Sequence, residues 1–228
     1  MDVGGKEGRA VQTNTVGPLI QSRPSNKRGK FVLSRLHSLA GLIPLGLFLI
    51  QHLMGNALAI QGSERFNEHV QFMTSLPFLL VLEIVFIALP LLFHAVYGIY
   101  LSFISKPNAH VYKYGRNISF LLQRITGVIT FIFVIYHVWA LRIGPALKGT
   151  EVNFQLVSEH LSNPFIFVFY LAGVLSTVYH FSNGISTAFI TWGITIGPAS
   201  QKTVRRICSG VFVILAVMSV WSLLSFVS

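Results

Sequence analysis

Five separate runs in this chain are long and apolar enough to cross a bilayer, and no other feature constrains its fold as much. They cover residues 39–60, 77–104, 125–141 (with apolar flanks), 165–196 and 207–227. A helix needs about 20 apolar residues to span the hydrocarbon core. In lipid the backbone polar groups must be satisfied within each segment, so these runs read as helices and not strands. The expected fold class is an all-α integral membrane protein with five transmembrane helices. Composition agrees: 53% of the 228 residues are hydrophobic and only 11% are charged, which excludes an ordinary soluble domain. Pro44 and Pro90 fall inside the first two runs and are expected to bend them.

The net charge of +10 is unevenly placed, and its distribution reports topology. Lys6, Arg9, Arg23, Lys27, Arg28, Lys30 and Arg35 precede the first apolar core. Lys106, Lys113, Arg116 and Arg124 follow the second, and Lys202, Arg205 and Arg206 follow the fourth. The other side holds Arg65, Arg142 and Lys148 against Glu64, Glu68, Glu151 and Glu159. Cationic loops stay on the cytoplasmic side, so the N-terminus is expected in the cytoplasm and the C-terminus outside. A nucleic-acid surface is the competing reading of the basic bias, and five spans argue against it. Residues 1–30 lack the apolar core of a signal peptide. Rich in Gly, Ser, Asn and basic residues, they are expected to form a disordered aqueous tail before a membrane domain over 31–228. The single cysteine, Cys208, excludes a disulfide framework and an iron–sulfur cluster held by this chain alone.

An ionisable residue at membrane depth is costly and marks a functional site by default. Four runs carry one deep histidine each: His52, His94, His137 and His180. With the first and third helices running outward and the second and fourth inward, counting from the flanking charges sorts them by depth. His52 and His137 fall in the outer half, His94 and His180 in the inner half. In an antiparallel four-helix bundle these are the diagonal pairs, which face each other across the core. Two imidazoles at each of two levels suit a haem iron held from both sides; zinc or copper would need three or four convergent ligands. The plainer reading is that each histidine hydrogen-bonds a neighbouring helix.

Around these four, Glu83 lies on nearly the same helix face as His94, about three turns nearer the outside. It is a candidate for proton exchange with a quinone, or else a carboxylate reaching the interface. Gly41 and Gly173 lie on histidine-bearing faces, where they leave room for a macrocycle or for helix contacts. Arg35, Ser38 and Arg124, at inner helix ends, are candidate partners for the propionates of an inner haem. His37, His69, His110 and His160 lie at segment ends or in loops and are expected to be solvated, His37 close enough to reach a cofactor edge. The fifth run has no histidine and is placed outside the four-helix core.

At these residues the chain resembles a known family. RLHSLAGLIPLGLFLIQHL, SLPFLLVLEIVFIALPLLFHAVYG, LQRITGVITFIFVIYHVW and LSTVYHFSNGISTAFITWGIT are similar to the cytochrome b558-type, five-helix, dihaem anchor subunits of succinate dehydrogenase, over about residues 31–200. The resemblance implies two haems b, with His94 and His180 on an inner, higher-potential haem iron and His52 and His137 on an outer, lower-potential one. It implies partner flavoprotein and iron–sulfur subunits on the cytoplasmic side of a prokaryotic inner membrane. It also implies a quinone, commonly menaquinone, near the outer haem. Fumarate reductases share this architecture, so the direction of the reaction stays open. Nothing in the sequence binds flavin or a dicarboxylate, so succinate chemistry is not expected on this chain. The alternatives are the dihaem cytochrome of a formate dehydrogenase or hydrogenase, and a haem-free transporter with histidines that relay protons.

Overall fold

The computed structural model describes residue 1, residues 27–104 and residues 114–228. The tail expected over 1–30 therefore falls mostly outside the described residues, as does His110; residues 27–30 already belong to the first helix. The described residues contain helices and no strand. Five helices have the length and hydropathy of membrane spans: α1 (Arg28–Gln61), α3 (Leu79–Ile104), α4 (Gly115–Lys148), α6 (Pro164–Thr191) and α7 (Pro198–Ser225). Two short helices, α2 (Ser63–Thr74) and α5 (Phe154–Leu161), lie between spans.

The helices start and break where backbone chemistry requires it. Pro164 and Pro198 each occupy the first turn of a span, where a missing N–H leaves no bond unmade. Asn163 caps α6 by accepting from the N–H groups of Phe165 and Ile166, and Asn153 caps α5 by accepting from that of Leu156. α1 is interrupted at Ile43, immediately before Pro44. In α3 the distortion expected at Pro90 takes the form of a π turn over Glu83–Ala88, just ahead of the proline. A second π turn, Trp139–Ile143, lies in α4 and stands in the same relation to Pro145, two residues past its end.

Cross-helix contacts fix the packing. Ser34 meets Tyr97 and His37 meets His94, so α1 and α3 run antiparallel. Gln123 meets Asn183, Thr130 meets Thr177 and His137 meets Tyr170, which gives α4 and α6 the same relation. α1 also packs on α6, closing a four-helix bundle, and α7 lies outside it against α6 and α1. The Ser222 hydroxyl of α7 donates to the carbonyl of Asn56. Close approach there uses small residues, Ser219 and Ser222 being buried on α7 and Ser182 and Ser186 on α6. Past the end of the bundle at which α1 and α4 finish, Phe66, Val157, Leu161, Leu223 and Phe226 form one apolar core with Phe133 and Tyr170. The backbone N–H of Phe154 donates to Asn67 Oδ1 there, joining α5 to α2. Elsewhere large apolar side chains point outward along the spans, as they must if lipid is the solvent.

Candidate functional site

Each deep histidine lies in the C-terminal half of its span. Because the helices alternate in direction, α1 and α4 carry theirs to one level and α3 and α6 to the other. The rings of His52 and His137 are 5.7 Å apart, centre to centre, with planes 79° apart. Those of His94 and His180 are 6.1 Å apart, at 89°. Two imidazoles on opposite sides of one metal ion, with bonds of about 2 Å, put their ring centres about 6 Å apart. The spacing of both pairs fits a shared iron.

The pair His94 and His180 is also set in a single tautomer. His94 Nδ1 donates to the carbonyl of His37 on α1, and His180 Nδ1 donates to that of Gln123 on α4, each at 3.0 Å. A carbonyl only accepts, so Nδ1 carries the hydrogen and Nε2 keeps the lone pair that a metal takes. Each ring lies against a glycine of the helix it bonds to. A Cβ at Gly41 would collide with the His94 ring, and one at Gly127 would stand 2.9 Å from His180 Cε1. Gln123 adds a side-chain lock: its amide donates to the His180 carbonyl at 3.0 Å and accepts from Asn183 at 2.6 Å.

The pair His52 and His137 is held differently. His52 stacks on Phe48, with Nε2 3.4 Å from the Asn56 amide nitrogen, which also donates to the His52 carbonyl at 2.8 Å. His137 packs on Phe133 and Tyr170, and its buried Nδ1 has no partner. His160, on α5, packs its ring on Tyr136 and Tyr170. Burial lowers the pKa of His160 below the ordinary imidazole value, which favours the neutral ring with one acceptor nitrogen.

Three of the histidines expected in water are thus packed against the bundle. Besides His160, His37 stacks on His94 with centres 4.1 Å apart, and His69 occupies the space that a Cβ on Gly55 would need. The two glycines singled out in the sequence serve side chains from the facing helix: Gly41 receives His94, and Gly173 receives the ring of Phe133.

Of the candidate propionate partners, Arg124 lies over the Phe120 ring, donates to the Phe120 carbonyl and keeps a buried Nε with no partner. It lines a groove of about 340 Å³ with Ser102, Ile125, Val128 and Ile129, beside the Gly127 that receives His180. Arg35 is sandwiched between Phe31 and Trp192, and Ser38 lies half-buried on the same helix. Among the described residues Glu83 meets no histidine. Both its oxygens accept from Arg142, at 2.9 and 2.7 Å, so the ion pair joins the two π turns. The sequence reading missed Arg142, Gln123, Asn183, Gly127 and Tyr170. Gln123 and Asn183 could have been found as polar residues inside apolar runs; the others carry no local signal.

A family model for the succinate dehydrogenase/fumarate reductase transmembrane subunit matches residues 105–221. The succinate dehydrogenase cytochrome b558 subunit of Bacillus subtilis is 50% identical over 198 residues, 87% of this chain and 98% of that protein. The chain belongs to the family of succinate dehydrogenase and fumarate reductase transmembrane subunits. The match covers nearly the whole of that relative, and the family model spans α4, α6 and most of α7. It agrees with the multi-pass architecture and identifies the chain as a membrane-anchor subunit.

Proposed function

We propose that the chain is the dihaem, electron-carrying anchor of a succinate:quinone oxidoreductase. His94 and His180 hold the inner haem b, and His52 and His137 hold the outer one. Each haem would supply a one-electron carrier, and the two histidines that hold its iron would leave no open site for oxygen. Flavoprotein and iron–sulfur subunits dock on the basic cytoplasmic face, and a quinone, menaquinone in this reading, reacts near the outer level. The chain sits in a prokaryotic inner membrane with its N-terminus in the cytoplasm. Arg124 with Arg35 and Ser38 serves the inner propionates.

The observation that carries this reading is the meeting of four imidazoles from four helices, two by two, at separations that fit one metal each. The purified, dithionite-reduced protein is expected to give low-spin b-type bands from two haems per chain, insensitive to carbon monoxide. His94→Ala is expected to lose the inner haem and half the pigment. A haem-free protein, or full pigment in His94→Ala, would overturn the assignment. Glu83 belongs to this reading as a candidate for proton exchange with the quinone, which requires its pair with Arg142 to open. Glu83→Gln then slows quinone turnover with haem content intact; unchanged turnover across pH leaves Glu83 as a helix tie alone.

A further inference from the structure

Seven buried polar side-chain atoms of the described residues have no hydrogen-bond partner, and three of them sit on one run of touching rings: His137 Nδ1, Tyr170 Oη and His160 Nε2. Tyr170 lies between the two histidines, with ring centres 5.7 Å from His137 and 5.4 Å from His160. It is only 3% exposed, packs on Phe133 and belongs to the same buried core as Val157 and Leu161. A buried polar atom left without a partner is costly, so three on adjacent rings call for a common explanation. At the inner level both histidines give their Nδ1 hydrogen to a carbonyl of the facing helix. At His137 no carbonyl takes it.

We infer that Tyr170 is the positioning residue of the outer site: with haem held at His137, small turns of these touching rings let its hydroxyl accept the Nδ1 hydrogen of His137 and pass its own hydrogen to Nε2 of His160. The inference rests on the proposal that His137 holds the outer haem. The donor and acceptor count closes, because a neutral His137 that ligates through Nε2 has one Nδ1–H to give. A phenol both accepts and donates, and a neutral imidazole has one nitrogen to accept. The chain of three does for the outer ligand what backbone carbonyls do for the inner ones. It fixes the tautomer and ring orientation and makes the imidazole a stronger donor to its metal. It also ties the outer site to α5, a short helix at the surface.

The test is a redox titration of the intact complex, followed by visible absorption and by the low-spin electron paramagnetic resonance signals, in wild type, Tyr170→Phe, His160→Ala and the double variant. Two haems in the wild type are the precondition; their absence sinks the function proposed above before any variant is compared. Tyr170→Phe is expected to move the outer midpoint potential upward and change the outer signal, while the inner potential and signal stay put. His160→Ala shifts the outer haem in the same direction by less, and the double variant goes no further than Tyr170→Phe. Loss of the outer haem alone in Tyr170→Phe also supports the assignment. Unchanged outer potential and signal in Tyr170→Phe with both haems present overturn it. Should Tyr170→Phe fail to assemble, His160→Ala decides alone, and an unmoved outer haem there overturns it.

Discussion

Glycine and histidine act together at the inner level. The ring of His94 can reach the carbonyl of His37 because the chain opposite carries no Cβ at Gly41, and Gly127 gives His180 the same access. Gly41→Ala places a methyl inside the van der Waals space of a ring pinned by its own hydrogen bond. Gly127→Ala brings a methyl within 2.9 Å of His180 Cε1, so that ring must shift too, though the approach is less close than at Gly41. Inner-haem occupancy, read from reduced-minus-oxidised spectra of the purified variants, is therefore expected to fall sharply in Gly41→Ala and modestly in Gly127→Ala. How far this was legible depends on the kind of group. The four histidines, one per apolar run, could be sorted by depth from flanking charges, since charge and hydropathy are written in the sequence. The Nδ1 acceptors could not, because they are backbone carbonyls on another helix and every residue has one. For the same reason Gly41 was placed on a functional face without its partner being known.

The two π turns show the same division among elements. Pro90 announces a disturbance in α3, because a proline inside a helix lacks the N–H owed to the carbonyl four residues back. The disturbance is the π turn Glu83–Ala88. Pro145 stands in the same relation to the counterpart turn, Trp139–Ile143 in α4; that the two turns meet is shown only by the packed structure. The Glu83–Arg142 pair ties the two distorted turns, and its geometry is bidentate. Yet the side chains are 29% and 50% exposed, and ion pairs so placed are worth about 0.2–1 kcal/mol. A double-mutant cycle with Glu83→Gln and Arg142→Gln, followed by thermal unfolding in detergent, is expected to return a coupling in that range. A value several-fold larger would mean the pair is shielded by lipid or by a partner.

On the scale of the whole molecule, the spans need a bilayer, while the end capped by α2 and α5 has a core of its own. Phe66 is 4% exposed there, stacked edge-on to Phe154 and Phe226. Deleting such a ring costs about 3–5 kcal/mol, so Phe66→Ala is expected to lower the midpoint of thermal unfolding and expose the amides of α5 to hydrogen exchange. Orientation is a property of the entire chain as well. A reporter fused after Ser228 is expected to be reached by an impermeant reagent from outside the cell, and one fused before Met1 to be protected.

The inner histidines have a consequence for how such a molecule comes together. One ring fastens α3 to α1 and the other fastens α6 to α4, so the clasps lie within two helical hairpins and not between them. The porphyrin would then arrive as a keystone between halves that are already closed. A gene cut in two between the codons for Ile104 and Gly115, with both pieces made in one cell, is expected to yield a pigmented, reassembled protein. Starved of haem, the same pieces keep the α1–α6 and α1–α7 packing and the Phe66 core between them, and are expected to part more readily on purification.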